Sequence, residues 1–173
     1  MKIQRLSAER IEPFVPDLAE ILTKTVEADG AVGFVLPHTD AESAQFWRNS
    51  ITPAVQNGER LFVVAIEDGR AVGTGQLIIG MPNNQPHRAE ISKLMVHPDF
   101  RKKGIARKIM HELHNLAAAF ERTLITLDTR TGEAAEPFYA SLGYETAGVI
   151  PHFAKNAVGD EFHATTYMYK HLT

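Results

Sequence analysis

The stretch Val96-His97-Pro98-Asp99-Phe100-Arg101-Lys102-Lys103-Gly104-Ile105-Ala106 carries the most specific chemistry in the chain. It leads from an apolar, strand-like segment through a basic turn into a long amphipathic segment. At a helix N-terminus the first N–H groups have no intrahelical acceptor and the macrodipole adds about half a positive charge, so a pyrophosphate can accept several backbone hydrogen bonds there. Gly104 lets the backbone approach such an anion closely, Ala106 is too small to block it, and Arg101, Lys102 and Lys103 add charge. Taken by themselves, three cations at a turn fit a solvated surface equally well.

Three further side chains suit proton transfer. Glu90 interrupts the otherwise apolar segment Ala89–Val96, and Asp128 ends the segment Leu124–Asp128. The carboxyl end of a sheet strand is where open α/β folds place ligands. The plainer alternatives are an exposed strand-edge carboxylate for Glu90 and a turn cap for Asp128, which opens the turn-rich run Asp128-Thr129-Arg130-Thr131-Gly132. Tyr139 lies about 100° around a helix from the stripe made by Phe138 and Leu142 and so need not face the core; the alternative is a packing tyrosine.

The elements that must position these groups follow from hydrophobic period. Asp17–Ala28 predicts a helix with Leu18, Ile21, Leu22 and Val26 on one face, and Asp40 is an N-cap for a second helix that carries Phe46, Trp47 and Ile51 and ends at Asn57-Gly58. Ile3–Leu6 reads as a short first strand. Leu61–Glu67, Asp68-Gly69 and Ala71–Ile79 predict a β-hairpin, followed by the strand Ala89–Val96 and a helix from about Gly104 to Phe120 with Ile105, Ile109, Leu113, Leu116 and Phe120 on one stripe. After the strand Leu124–Asp128 come a short helix Ala135–Leu142 and two strands, Tyr144–Ile150 and Phe162–Tyr169. This order is a mixed α/β layered domain with a partly antiparallel sheet.

Composition narrows the function classes. With 173 residues, 44% hydrophobic and 23% charged, the chain fits one folded domain spanning 1–173. A net charge of -3 gives no global attraction to nucleic acid or an anionic membrane. The absence of cysteine removes thiol nucleophiles, disulfides and thiolate metal sites together. The longest apolar run, Leu61–Ile66, is strand length and no amino-terminal apolar region precedes the first charges, so a cytoplasmic protein without a membrane span is expected. His111-Glu112-Leu113-His114 misses the metal-binding H-E-x-x-H spacing by one residue, and no metal is expected; no G-x-S-x-G elbow is present either.

The basic turn followed, one strand later, by Phe138-Tyr139-Ala140-Ser141-Leu142-Gly143-Tyr144 resembles the GNAT superfamily of N-acetyltransferases, which carries R/Q-x-x-G-x-G/A after its fourth strand and then a Tyr-containing helix ending in L-G-F/Y. The likeness covers residues 60–170. Within the superfamily, Glu90–Pro98 and Leu127–Gly132 are similar to the tabtoxin-resistance acetyltransferase branch. The resemblance implies a mostly antiparallel sheet of six to seven strands, flanked by about four helices, with a V-shaped splay between two parallel central strands. It implies acetyl-CoA as co-substrate, with backbone of Leu94, Met95 and Val96 pairing with the pantetheine amides and residues Arg101, Lys102, Lys103, Gly104, Ile105 and Ala106 holding the pyrophosphate. It implies Glu90 as general base, since it stands eleven residues before Arg101 as in the histone-acetyltransferase branch, with Asp128 as a second carboxylate and Tyr139 as the acid that serves the departing thiolate. The oxyanion would meet a backbone N–H of Met95 or Val96.

Two residues depart from the pattern. Gly132 stands where many members carry a cofactor-contacting Asn, and Pro137 lies inside the short helix, which therefore starts no earlier than about Ala134 or is kinked. The acceptor expected is a small amine, with an amino-acid-like antimetabolite or toxin as one form. The alternatives are a protein lysine or N-terminus, and a non-catalytic acyl-CoA-binding sensor. Phe34, Trp47 and His152 are weaker candidates for acceptor contact, and a homodimer is left open.

Overall fold

The apolar run Leu61–Ile66 in the first strand of the hairpin is continuous because both faces of its sheet are covered. Leu61, Val63 and Ala65 point to one face and Phe62 and Val64 to the other, each set entering a separate buried cluster. The computed structural model describes residues 1–172. Its strands are β1 (Lys2–Leu6), β2 (Arg60–Glu67), β3 (Arg70–Ile78), β4 (Arg88–Val96), β5 (Leu124–Arg130), β6 (Glu145–Lys155) and β7 (Phe162–His171). The helices are α1 (Val15–Glu27), α2 (Asp40–Phe46), α3 (Thr52–Gln56), α4 (Ile105–Ala119) and α5 (Ala135–Ala140).

The strands form one seven-stranded sheet in the order β1-β2-β3-β4-β5-β7-β6. Every pairing is antiparallel except β4 with β5. On one face, Ile105, Ile109, Met110, Leu113 and Ala117 of α4 pack over β2, β3 and β4. On the other, Leu18, Ile21, Leu22 and Val26 of α1 pack with Trp47, Phe62 and Met95. Gly75 of β3 makes the α4 contact possible, because a Cβ there would stand 2.7 Å from Ile109 Cγ2 and 3.0 Å from Leu113 Cδ1.

Two elements differ from their sequence expectation for stated physical reasons. The single helix expected over 40–57 is broken by a π-helical turn, Trp47–Ile51, just before Pro53. A proline cannot donate to the carbonyl four residues back and its ring crowds that carbonyl, so the turn widens, and Thr52 Oγ1 donates to the Trp47 carbonyl at 3.0 Å. The strand expected to stop at Ile150 continues through Pro151 to Lys155. β6 is an edge strand with a register shift between Ile150 and Ala154, and edges and bulges are where a sheet accepts proline.

Candidate active site

The parallel pair β4–β5 is in register over only three residue pairs, Arg88 with Leu124, Ala89 with Ile125 and Glu90 with Thr126. Beyond Glu90 the strands separate. A bulge in β4 accompanies this divergence: Ser92 pairs with Gln76 and Met95 with Thr74, so three steps of β4 oppose two of β3, and Lys93 adopts φ +51°. From Ile91 to Val96 the β4 edge that faces β5 is therefore left without a strand partner, while the other edge stays paired with β3. An extended amide chain can add to such an edge.

The opening is a cavity of about 800 Å³, of the size that holds a cofactor-sized ligand. Its walls come from the end of α1 and the loop after it, from β4 beyond Glu90, from the turn before α4, from the end of β5 and from α5. The turn leads from β4 into the N-terminus of α4. Gly104 is the α4 N-cap at φ +73°, and a Cβ there would meet nothing within 4 Å, so the glycine answers a backbone requirement with open space above it. The N–H of Lys108 is the first to bond back, to Gly104 O at 3.2 Å, which leaves the N–H groups of Ile105, Ala106 and Arg107 free of intrahelical acceptors. No acidic residue sits in the first turn of α4.

Of the residues singled out by sequence, Leu94, Met95, Val96, Arg101, Lys102, Gly104, Ile105, Ala106, Asp128 and Tyr139 line this cavity. Lys103 and Glu90 do not. Lys103 folds over the Phe100 ring at 4.7 Å, and Glu90 sits at the foot of the splay, where its carboxylate accepts from Arg88 Nη1 at 3.2 Å. Arg88 Nη1 also donates to Thr126 Oγ1 at 2.9 Å, which ties the last β4–β5 pair together. Asp128 is exposed to the cavity and accepts a hydrogen bond from Thr165 Oγ1 of β7 at 2.8 Å.

Tyr139 corrects the helical-wheel expectation. It is only 8% exposed and belongs to the α4-side core, packed on Phe138 at 5.3 Å and Tyr144 at 5.8 Å between ring centroids, while Phe138 is only partly buried. The helix is under two turns long, so its orientation is set by the sheet edge it covers and not by a stripe of its own. The hydroxyl makes no hydrogen bond among the described residues. Burial, and secondarily the negative charge of Asp128, push its pKa up to about 12, so it stays a proton-bearing donor at neutral pH. Pro137 is accommodated because α5 begins at Ala135 and the proline falls in its first turn.

Several residues at the site escaped sequence reasoning. Lys93 lines the cavity, and Asp29, at φ +58° just past α1, accepts from Arg130 Nη1 at 2.8 Å and from the Val158 N–H at 2.9 Å. A lysine inside the apolar run Ile91–Val96 was the available signal for the first; nothing local marks the second. Phe34 and Trp47 pack together through Phe46, with Trp47 fully buried, and His152 stacks on Phe162 on the edge hairpin away from the cavity walls. Among the described residues no three His, Asp or Glu side chains gather to hold a metal, and no helix is long and apolar enough to cross a membrane.

Comparison with known proteins decides the family. The acetyltransferase (GNAT) domain profile matches residues 57–146, from just before β2 to the start of β6. The chain belongs to the GNAT acetyltransferases. An uncharacterized N-acetyltransferase in the hisH-hisA intergenic region of Azospirillum brasilense is 27% identical to this acetyltransferase over 138 residues, covering 76% of this chain and 80% of that one. Among solved structures, a ribosomal-protein-alanine N-acetyltransferase from Brucella melitensis superposes with a TM-score of 0.80 at 21% identity, covering 99% of this chain and 100% of that one. The yncA protein of Salmonella typhimurium, solved with its cofactor acetyl-CoA, gives a TM-score of 0.77 at 19% identity, covering 100% and 94%. The GNAT fold expected from the sequence, with its mostly antiparallel seven-stranded sheet and one splayed parallel pair, is the fold observed.

Proposed function

We propose that this GNAT acetyltransferase moves an acetyl group directly from acetyl-CoA to the primary amine of a small amino compound. The observation that carries the reading is one cavity that joins the unpaired β4 edge to the N-terminus of α4, whose first turn holds no acid. A pantetheine arm satisfies the first and a pyrophosphate the second, with Arg101 and Lys102 on the cavity wall beside it. The absence of cysteine leaves no thiol to carry an acyl group, so transfer proceeds in one ternary complex.

In that complex the amine nitrogen attacks the thioester carbonyl, a backbone N–H near Met95 or Val96 receives the oxyanion, and the C–S bond then breaks. Asp128, a carboxylate on the cavity wall at the end of β5, takes the amine proton. Glu90, its charge met by Arg88 at 3.2 Å, lies outside the cavity wall and helps fix the β4–β5 junction from which Asp128 projects. Tyr139 faces the departing sulfur as hydrogen-bond donor. The likeness to the tabtoxin-resistance branch points to an amino-acid-like antimetabolite as acceptor, in the cytosol. The test is thiol release from acetyl-CoA in the presence of a panel of small primary amines and, separately, of a lysine-containing peptide. Release driven by at least one small amine supports the reading, and release driven by the peptide alone contradicts it.

A further inference from the structure

Lys93 has an unusual set of contacts for a strand lysine. The β4 bulge turns it to the α1 face at φ +51°. Its Nζ donates to the Val32 carbonyl at 2.6 Å and stands 5.8 Å from the ring centroids of both Phe34 and Phe46, which themselves pack edge to face at 5.1 Å. Val32 and Phe34 belong to the loop 29–39 between α1 and α2. A cation over two aromatic faces, with a carbonyl as third partner, draws a loop down onto the strand below. Burial and the nearby Arg60 charge lower the Lys93 pKa, and Asp128 opposes them, so the ammonium feels the catalytic carboxylate.

The same loop is tied at its two ends. Asp29 bridges to Arg130 at the end of β5 and to the Val158 N–H in the β6–β7 turn. Further along, the Leu36 N–H donates to the Ala157 carbonyl of that turn at 2.9 Å. The loop thus crosses from α1 over the β4 bulge and onto the β6–β7 turn, roofing the α1 side of the splay, where Asp128 and Lys93 line the cavity.

We infer that Lys93 is a positioning residue for the acceptor: it pins loop 29–39 over the splay, so that the site admits a compact amine and shuts out a polypeptide segment. This rests on the proposed transfer to a small amine and names the residue that selects for it. Lys93 makes no bond in the reaction; it shapes the space in which the amine meets Asp128.

The experiment compares wild type with Lys93→Met, which removes the charge, and Lys93→Arg, which keeps it. Amide hydrogen exchange is read over Val32–Leu36, and acetylation is read with the best small amine of the panel and with a short lysine-containing peptide. Lys93→Met is expected to speed exchange in the loop at least tenfold, to raise KM for the small amine about tenfold with a much smaller change in kcat, and to gain peptide acetylation. Lys93→Arg is expected to restore most of the protection and of the KM. Exchange in Lys93→Met equal to wild type overturns the inference, as does a wild type that acetylates the peptide as well as the small amine. Exchange needs no turnover, so the pinning is judged even if no amine in the panel is a substrate, a result that would fall on the proposed function instead.

Discussion

Replacing Tyr139 with Phe removes one oxygen from a packed site and separates catalysis from stability. The hydroxyl has no hydrogen-bond partner among the described residues and the ring is 8% exposed, so the variant is expected to fold with a melting temperature equal to or slightly above that of wild type. With its pKa near 12, the phenol is a weaker acid than a thiol of about 8.5, so the role proposed for it is a hydrogen bond donated to the developing thiolate and not a completed early proton transfer. A hydrogen bond to a charged partner contributes about 1.5–3 kcal/mol, which corresponds to a fall in kcat of roughly 10- to 150-fold. The raised pKa also makes a statement about stability. Because the folded protein holds this proton above the ordinary tyrosine value of 10.0, the stabilisation is complete below pH 10 and is lost as pH rises toward 12, and removing the hydroxyl should flatten that alkaline loss. The assays are thiol release with saturating acetyl-CoA and amine, and thermal melts between pH 8 and 11. An unchanged kcat would refute the role, and a variant that melts well below wild type would refute the description of the hydroxyl as unpartnered.

Asp128→Asn keeps an acceptor for Thr165 while removing the proposed base, so kcat is expected to fall by about 10²- to 10⁴-fold; Glu90→Gln, outside the cavity wall, should cost about tenfold or less. Equal losses in pH-rate profiles of the two variants would contradict the division of roles. His114, whose Nε2 lies 2.9 Å from the Tyr144 hydroxyl, has its pKa lowered to about 4 by burial first and by the Lys170 and His111 charges next. A base held neutral in the fold stabilises above its unfolded value of 6.5 and loses that stabilisation as pH falls toward 4. His114→Gln should therefore flatten the acid limb of a stability–pH curve relative to wild type, and parallel curves would count against it.

Element order and type were legible because the hydrophobic pattern switches clearly, from a 3.6-residue period in Leu18–Val26 to the strand-length continuous apolar run Leu61–Ile66 and back to 3.6 in Ile105–Leu116. The geometry of the turn before α4 was legible for a local reason: Gly104 and the free N–H groups after it depend on neighbouring residues alone. What escaped depends on pairing across the sheet. The β4 bulge exists only relative to β3, so no pattern within Ser92-Lys93-Leu94 announces that Lys93 turns to the α1 face. Glu90 stands outside the cavity because β4 and β5 remain paired through that residue, and the point of separation is a property of two strands more than thirty residues apart. The Asp29–Arg130 bridge joins α1 to β5 across an even longer separation. Tyr139 was misplaced because a helix of six residues takes its orientation from what it covers.

The proposed function stands on acetyl-CoA binding by the splay and the α4 N-terminus together. Calorimetric titration of the wild type with acetyl-CoA and with pantetheine, repeated on Gly104→Leu, tests it most directly. Leucine at φ +73° is strained by about 1–2 kcal/mol and adds bulk at the mouth of the anion site, where no protein atom lies within 4 Å. The account predicts tight binding of acetyl-CoA by the wild type, much weaker binding of pantetheine because the pyrophosphate contacts are missing, and at least a tenfold loss of acetyl-CoA affinity in a Gly104→Leu protein that still melts cooperatively. Absence of acetyl-CoA binding by the wild type, or equal affinity in the folded Gly104→Leu variant, would contradict it.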